Sequence, residues 1–394
     1  MPPTTPPLNI AFFGSSLVSA YWNGAATYYR GMLRALHGLG HRITFHEPDA
    51  FDRQAHRDLI EDPDYAEVDV YPGTGDAWAQ RFADASASAD VVVKASGVGV
   101  FDAELERALA ELARGRDGGA GPLCIFWDVD APATLDRMSA DPADRGNNCV
   151  TAYDAVFTYG GGQPVIDAYT AAGAARCVPL YNAHDPDTHH PVPPRDDLRC
   201  DLAFLGNRLP DREARVDEFF FDAARRCPQL SFLLGGSGWD DKPMPPNVRY
   251  LGHVGTDDHN ALNSSARCVL NISRDSMAAF GFSPATRVFE ACAAGACMIT
   301  DHWKGLDHFY EEGAEMLVAK SGSDVAHHLT HTDPARAAAI GTAAATRTRN
   351  DHTYRRRALE AQSVMQDLIA LRASSDRGVF TADGDRKKGL GVGA

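Results

Sequence analysis

Short apolar runs alternate with longer amphipathic stretches along nearly the whole chain, and this rhythm limits the fold more than any other feature. Leu8–Phe13 (LNIAFF) runs into Gly14, and Ala25–Leu39 has helical spacing and stops at Gly40. Arg42–His46, Asp90–Val93, Leu123–Trp127, Ala155–Tyr159 and Cys177–Leu180 follow as further strand candidates. Strands separated by helices imply parallel β-α-β units in a doubly wound sheet. Pro186–Asp197 breaks the pattern, because four prolines in twelve residues neither extend a helix nor fill a central strand. The alternation restarts with Asp201–Leu205, Leu230–Leu234, Val248–Leu251, Cys268–Ile272 and Ala296–Thr300, and ends in helical pattern at Asp333–Thr348 and Tyr354–Leu371. The expected fold class is α/β: two Rossmann-like domains facing each other across a cleft, where loops and helix N-termini at strand C-terminal ends collect ligands.

Composition narrows the function. The 394 residues carry 38 basic and 53 acidic side chains, a net charge of −15. Such a surface repels phosphate backbones, so no nucleic-acid partner is expected. No apolar run approaches the ~20 residues of a membrane helix, so no membrane span is expected. Met1–Pro7 lacks the basic and apolar regions of a signal peptide. The eight cysteines (124, 149, 177, 200, 227, 268, 292 and 297) include no Cys-x-x-Cys pair, which reads as reduced thiols in a cytoplasmic protein.

The segment Gly281–Gly295 is the most informative. Ser283 is a suitable N-cap, Pro284 suits the first helical turn and Gly295 a helix stop. A helix entered this way offers backbone N–H groups to an anion. Arg287 and Glu290 share one helix face, the first placed to hold a diphosphate, the second a vicinal diol such as a ribose. An ordinary capped helix with a surface Arg/Glu pair would carry the same residues. Asp128 and Asp130 end a buried strand, where desolvation favours a general base; they equally suit turn capping. They also spell Asp-x-Asp, a metal–diphosphate motif in single-Rossmann enzymes; a divalent metal is compatible but not expected, because the Arg/Glu helix supplies phosphate and ribose partners without one. Gly14, Gly24, Gly97, Gly160 and Gly161 mark loops where backbone approaches a ligand or simply turns. Lys94 faces a diphosphate or solvent. His184, His189 and His190 read as hinge residues, and His327, His328 and His331 as an exposed cluster without an acidic third ligand.

The second half resembles the donor half of nucleotide-sugar glycosyltransferases of the GT-B fold. Asn182-Ala-His-Asp185 is similar to their interdomain hinge, Phe204-Leu-Gly-Asn-Arg208 to the loop holding donor phosphates, and Asn247–His253 to the strand and turn beside the nucleobase. The motifs Phe12–Ser16, Phe126–Pro132, Tyr159–Gly162, Phe204–Arg208 and Arg287–Glu290 together resemble the bacterial spore-maturation-protein-like (CgeB-like) glycosyltransferases over residues 8–370. The resemblance implies a transferase of the hexosyltransferase class, moving a sugar from a nucleotide-diphosphate sugar to an unidentified small molecule, glycan or protein. It implies donor binding by Arg208, Arg212, His253, Ser283, Arg287 and Glu290, with Asp130 and Asp128 nearest the acceptor and no further cofactor. Retaining members often carry a second glutamate eight residues before the ribose-binding one; Phe282 stands there. An epimerase on the same fold and a non-catalytic nucleotide-sugar-binding protein are the alternatives. The implied domains are an acceptor domain at 8–185, a hinge at 186–198, a donor domain at 199–350 and a helix at 351–372 returning to the first domain, with disordered tails at 1–7 and 373–394.

Overall fold

The structure, a computed structural model, describes residues 6–21, 23–116, 121–210 and 212–384. Residues 1–5 and 385–394 of the two expected tails lie outside the described residues. The chain divides into two compact units, 1–159 with 165–180 and 357–394, and 160–164 with 181–356.

The first unit holds strands β1 (Asn9–Phe13), β2 (Arg42–Asp49), β3 (Glu67–Pro72), β4 (Val91–Ala95), β5 (Leu123–Asp128), β6 (Ala155–Thr158) and β7 (Cys177–Pro179). They form one sheet in the order β3-β2-β1-β4-β5-β6-β7, parallel at every pairing. The order reverses direction between β1 and β4, the switch point where such sheets bind ligands. Phe12, Tyr29, Phe45 and Trp127 pack at its centre. Tyr28 ties this core to the sheet end: its hydroxyl donates to Leu180 O at 2.8 Å and accepts from Trp127 Nε1 at 3.1 Å.

The second unit holds β8 (Cys200–Leu205), β9 (Phe232–Gly235), β10 (Val248–Gly252), β11 (Ala266–Asn271), β12 (Cys297–Asp301) and β13 (Leu317–Ala319). Their order is β10-β9-β8-β11-β12-β13, again all parallel, with the switch point between β8 and β11. Alternate residues feed two cores. Leu202, Phe204, Cys268, Leu270, Cys297 and Ile299 join one, and Ala203, Val269 and Met298 the other. Helices therefore cover both faces, which is why these strands read as continuous apolar runs.

Chain crossings differ from those expected. The proline-rich stretch 186–198 groups with the second unit, and the crossing falls at 180/181. Its backbone is fixed there: Val192 N donates to Ser264 Oγ at 3.2 Å and Arg195 N to Ser265 Oγ at 2.8 Å. The last helix, Tyr354–Gly384, is longer than the expected 351–372 and takes in part of the tail at 373–394. From Arg357 onward it groups with the first unit, where Gln362 pairs with His41 at 3.0 Å and Arg372 with Asp154. Among the described residues no helix is long and apolar enough to cross a membrane.

Candidate functional site

In the second unit, the C-terminal ends of β8, β11 and β12 gather an unusual set of polar groups. Asn271, Thr300 and Asp301 are fully buried at strand ends. Asn271 Nδ2 donates to Thr300 Oγ1 at 3.0 Å, and its Oδ1 accepts from Arg287 Nη1 at 3.3 Å. Asp301 accepts from Ser273 N at 3.1 Å and pairs with Arg215 at 2.5 Å. Among the described strand-end side chains, the guanidinium of Arg287 thus has a single acceptor, Asn271 Oδ1.

Arg212 and Arg287 stand together. Each guanidinium carbon lies 5.7 Å from the centre of the Phe204 ring, a cation–π distance. Burial and the positive Arg212 lower the pKa of Arg287 to about 10, with Glu290 and Asp301 acting in the opposite sense. Two like charges held this close favour an anion between or beside them. Arg212 is buried and donates to Asn207 O at 2.5 Å. A side chain on Gly206 would crowd its Nη2 at 2.9 Å and the Phe204 ring at 3.0 Å.

Glu290 lies one turn beyond Arg287 on the helix Thr286–Ala293. Burial raises its pKa; His259 and Arg287 pull it down. His189 Nε2 stands 3.5 Å from Glu290 Oε1. His189 lies in the stretch expected as a hinge, and His259 and Asn271 carry no motif in the sequence. The signal was a polar residue closing an apolar run, Asn271 after Cys-Val-Leu and Thr300-Asp301 after Cys-Met-Ile.

The remaining expected donor residues divide. Ser283 is not the N-cap: Ala285 occupies that position, and the Ser283 hydroxyl donates to Gly281 O at 3.0 Å. The reason is the kink before it. Gly281 and Phe282 both take positive φ, 76° and 47°, which delays the helix to Thr286. Arg208 is bound in ion pairs, to Glu213 at 2.7 Å and Asp241 at 2.6 Å, which raise its pKa and occupy the guanidinium expected to hold phosphate. His253 is exposed just beyond β10.

The triple glycine 160–162 approaches protein rather than open space. A Cβ on Gly160 would meet Ser283 Oγ at 2.7 Å, and one on Gly162 the Phe282 ring at 2.5 Å. Gly161 N donates to Phe282 O at 2.8 Å. Gly305 closes the other side, its Cβ position 2.2 Å from the same ring. Phe282 is therefore a wedge between two glycine segments. Gly305→Ala should destabilise the protein by about 1–3 kcal/mol from overpacking, plus about 1 kcal/mol for the left-handed backbone at φ 85°. A urea denaturation midpoint equal to wild type would contradict this account.

In the first unit, Asp128 is not free to act as a base. It is fully buried. Oδ1 accepts from Ser96 Oγ at 2.7 Å, Asp130 N at 3.1 Å and Thr134 Oγ1 at 3.1 Å, and Oδ2 from Tyr169 at 2.5 Å. Burial raises its pKa against these donors. Its work is to fasten β5 to the helices that follow. Asp130 is exposed at the start of the helix Ala131–Ala140 and makes no side-chain cap bond. Lys94 is fully buried against Asp102 and Glu106, so it faces neither diphosphate nor solvent. Gly14 is required by the Phe45 ring, 2.4 Å from its Cβ position, whereas Gly24 and Gly97 have open space there. Among the described residues no group of three or more His, Cys, Asp or Glu side chains is arranged to hold a metal ion.

Two doubly wound parallel sheets, each with a ligand-type switch point, define the GT-B class of fold. The family model described as glycosyl transferase-like matches residues 212–363, a span that contains Arg212, Arg287 and Glu290. Sucrose-phosphate synthase from Thermosynechococcus elongatus superposes with a TM-score of 0.69 at 12% identity, over 92% of this chain and 100% of that one. HepE of Anabaena, solved with UDP and glucose, gives 0.63 at 14%, over 91% and 100%. The DNA-modifying enzyme β-glucosyltransferase, whose substrate is uridine diphosphoglucose, gives 0.58 at 13%, over 91% and 100%. No curated protein matches the chain in sequence.

Proposed function

We propose that this protein is a glycosyltransferase that moves a hexosyl group from a nucleotide-diphosphate sugar to an acceptor hydroxyl. The observation that carries the reading is the Arg212–Arg287 pair over Phe204, one helical turn from the half-buried carboxylate of Glu290. The arginines take the diphosphate and Glu290 the ribose hydroxyls. In transfer, the bond from anomeric carbon to phosphate oxygen breaks and a bond to the acceptor oxygen forms. Negative charge builds on the departing diphosphate, which the two guanidinium groups stabilise. The acceptor hydroxyl loses its proton to a base. The motif order further supports the CgeB-like subfamily, and the eight free thiols support a reducing, cytoplasmic setting.

The test begins with thermal shifts against ADP, GDP, CDP, UDP and dTDP and their sugars. UDP comes first because HepE and β-glucosyltransferase were solved with uridine nucleotides. A ligand at 100 times its Kd should stabilise the fold by about 2.7 kcal/mol. Free nucleoside diphosphate should then appear only when an acceptor is present. Binding without release across a broad acceptor panel would instead identify a non-catalytic sugar-nucleotide-binding protein, a reading favoured by Phe282 standing where the resembling family has a glutamate. No shift with any nucleotide would overturn both.

A further inference from the structure

The carboxylate assigned to ribose has a partner that the donor-site motifs do not include. Glu290 is 15% exposed and His189 7% exposed at their side chains, with Nε2 and Oε1 3.5 Å apart. That is ion-pair range, a few tenths of an ångström beyond a good hydrogen bond. The histidine is not there by chance of a loose loop. His189 N donates to Asp185 O at 2.9 Å, and Asn260 Nδ2 donates to Thr188 O at 2.8 Å, which pins the preceding peptide to the helix Thr256–Ser265. Thr188 Oγ1 donates to Asp185 O at 3.2 Å and lies 2.9 Å from His189 Nδ1. With its own proton committed, Thr188 accepts from Nδ1–H. The ring nitrogen left to face Glu290 is then Nε2, and a proton there makes the ring an imidazolium opposite a carboxylate.

We propose that His189 is a positioning residue for the donor nucleotide: protonated at Nε2, it holds Glu290 Oε1 and leaves Oε2 to accept from the vicinal hydroxyls of a ribose. This rests on the glycosyltransferase reading of the same site and adds to it a residue and a proton. A bare buried carboxylate would gain from neutralising itself, and a carboxylic acid is a poorer acceptor for a diol. The imidazolium keeps Glu290 ionised at a cost in charge that the two share. The groups facing His189 are His184, Asp185 and His190 on its own segment, His259 on the helix Thr256–Ser265 and Glu290 on the helix Thr286–Ala293. Those facing Glu290 besides are His259 on the helix Thr256–Ser265 and Arg287. Burial, with His190, holds the His189 pKa below its ordinary value against the pull of Asp185, so the charged ring belongs to mildly acid pH.

The experiment uses whichever nucleoside diphosphate of ADP, GDP, CDP, UDP and dTDP binds the full chain most tightly, with inorganic pyrophosphate as the probe that lacks ribose. His189→Ala should weaken the nucleotide about tenfold, the worth of one charge-assisted hydrogen bond, and leave pyrophosphate unchanged. His189→Gln, which presents a neutral N–H near the Nε2 position, should restore most of the affinity. Wild-type affinity should be highest in mild acid and fall as pH rises through the lowered value of His189, below the ordinary histidine value, and the glutamine variant should be flatter over that range. In Glu290→Gln, the imidazole of His189 followed by NMR should titrate at lower pH than in wild type. If Glu290→Gln weakens the nucleotide while His189→Ala binds like wild type, the positioning role is wrong and the donor site stands. If no nucleoside diphosphate binds wild type, the glycosyltransferase reading fails and this assignment fails with it. Equal loss of pyrophosphate in His189→Ala would show a general collapse of the site and would also overturn the role.

Discussion

Arg287→Ala should raise the Kd for a nucleoside diphosphate by about 10- to 100-fold, the loss of a charge-assisted contact of ~1.5–3 kcal/mol, without lowering the folding midpoint. The two halves of this expectation have one cause. Arg287 is a charge held at a disadvantage: burial and Arg212 lower its pKa to about 10, against the opposing pull of Glu290 and Asp301. Among the described residues its side chain has one hydrogen bond, to Asn271 Oδ1 at 3.3 Å. Removing it relieves repulsion on Arg212, so stability holds or rises while binding falls, the trade expected where a site stores unfavourable charge for a ligand. Arg287→Lys keeps the charge but loses the planar fork, and should recover only part of the affinity. Arg212→Ala should differ, because Arg212 also braces Asn207 O and its loss should cost stability as well as binding. The measurement is titration calorimetry beside urea denaturation. A variant that binds normally, or one that loses stability in step with binding, would remove Arg287 from the anion site.

The sequence carried this helix clearly and its surroundings poorly, for physical reasons. Period and punctuation reveal elements, so the parallel α/β units and the shared face of Arg287 and Glu290 were legible. The edge strands β3 and β13 were not. Glu67–Pro72 is acidic at alternate places and Leu317–Ala319 has three residues, so neither makes an apolar run. Ser283 looked like a cap because composition cannot show φ, and the two positive φ values at Gly281 and Phe282 moved the helix start. The 160–162 glycines suit either a ligand approach or a simple turn by sequence, whereas they admit Ser283 and the Phe282 ring, a contact across more than a hundred residues that no local pattern reports. His189 was set aside with its neighbours for the same reason: its partner, Glu290, is remote in sequence.

Lys94 shows the converse error, and it leads to the second large effect. A lysine at the end of a strand before a glycine loop suggests a phosphate ligand. Instead its ammonium is wholly buried: it donates to Ala95 O at 2.7 Å, pairs with Asp102 and stands 3.8 Å from Glu106, which Arg145 approaches at 2.7 Å. Burial alone would raise the pKa of Asp102; Lys94 overrides it and holds the carboxyl below its ordinary value. Lys94→Met keeps length and removes the cation, leaving a buried carboxylate uncompensated, so it should destabilise the first unit by about 3–5 kcal/mol. The pH dependence follows from the depressed acid. Its contribution is complete above the ordinary carboxylate range and is lost as pH falls through the lowered value, so wild type should shed this stability in acid and Lys94→Met should have little of it left to shed. Adding Asp102→Asn and Glu106→Gln to Lys94→Met should recover part of the loss, because the orphaned charges go with their partner. Nucleotide binding, a property of the second unit in our reading, should persist in the triple variant at temperatures where it is folded. Denaturation curves with and without nucleotide at neutral and acid pH decide the matter. If the triple variant is no more stable than Lys94→Met, packing rather than charge governs this strand end. If Lys94→Met folds normally yet fails to bind nucleotide, the lysine belongs to the donor site after all.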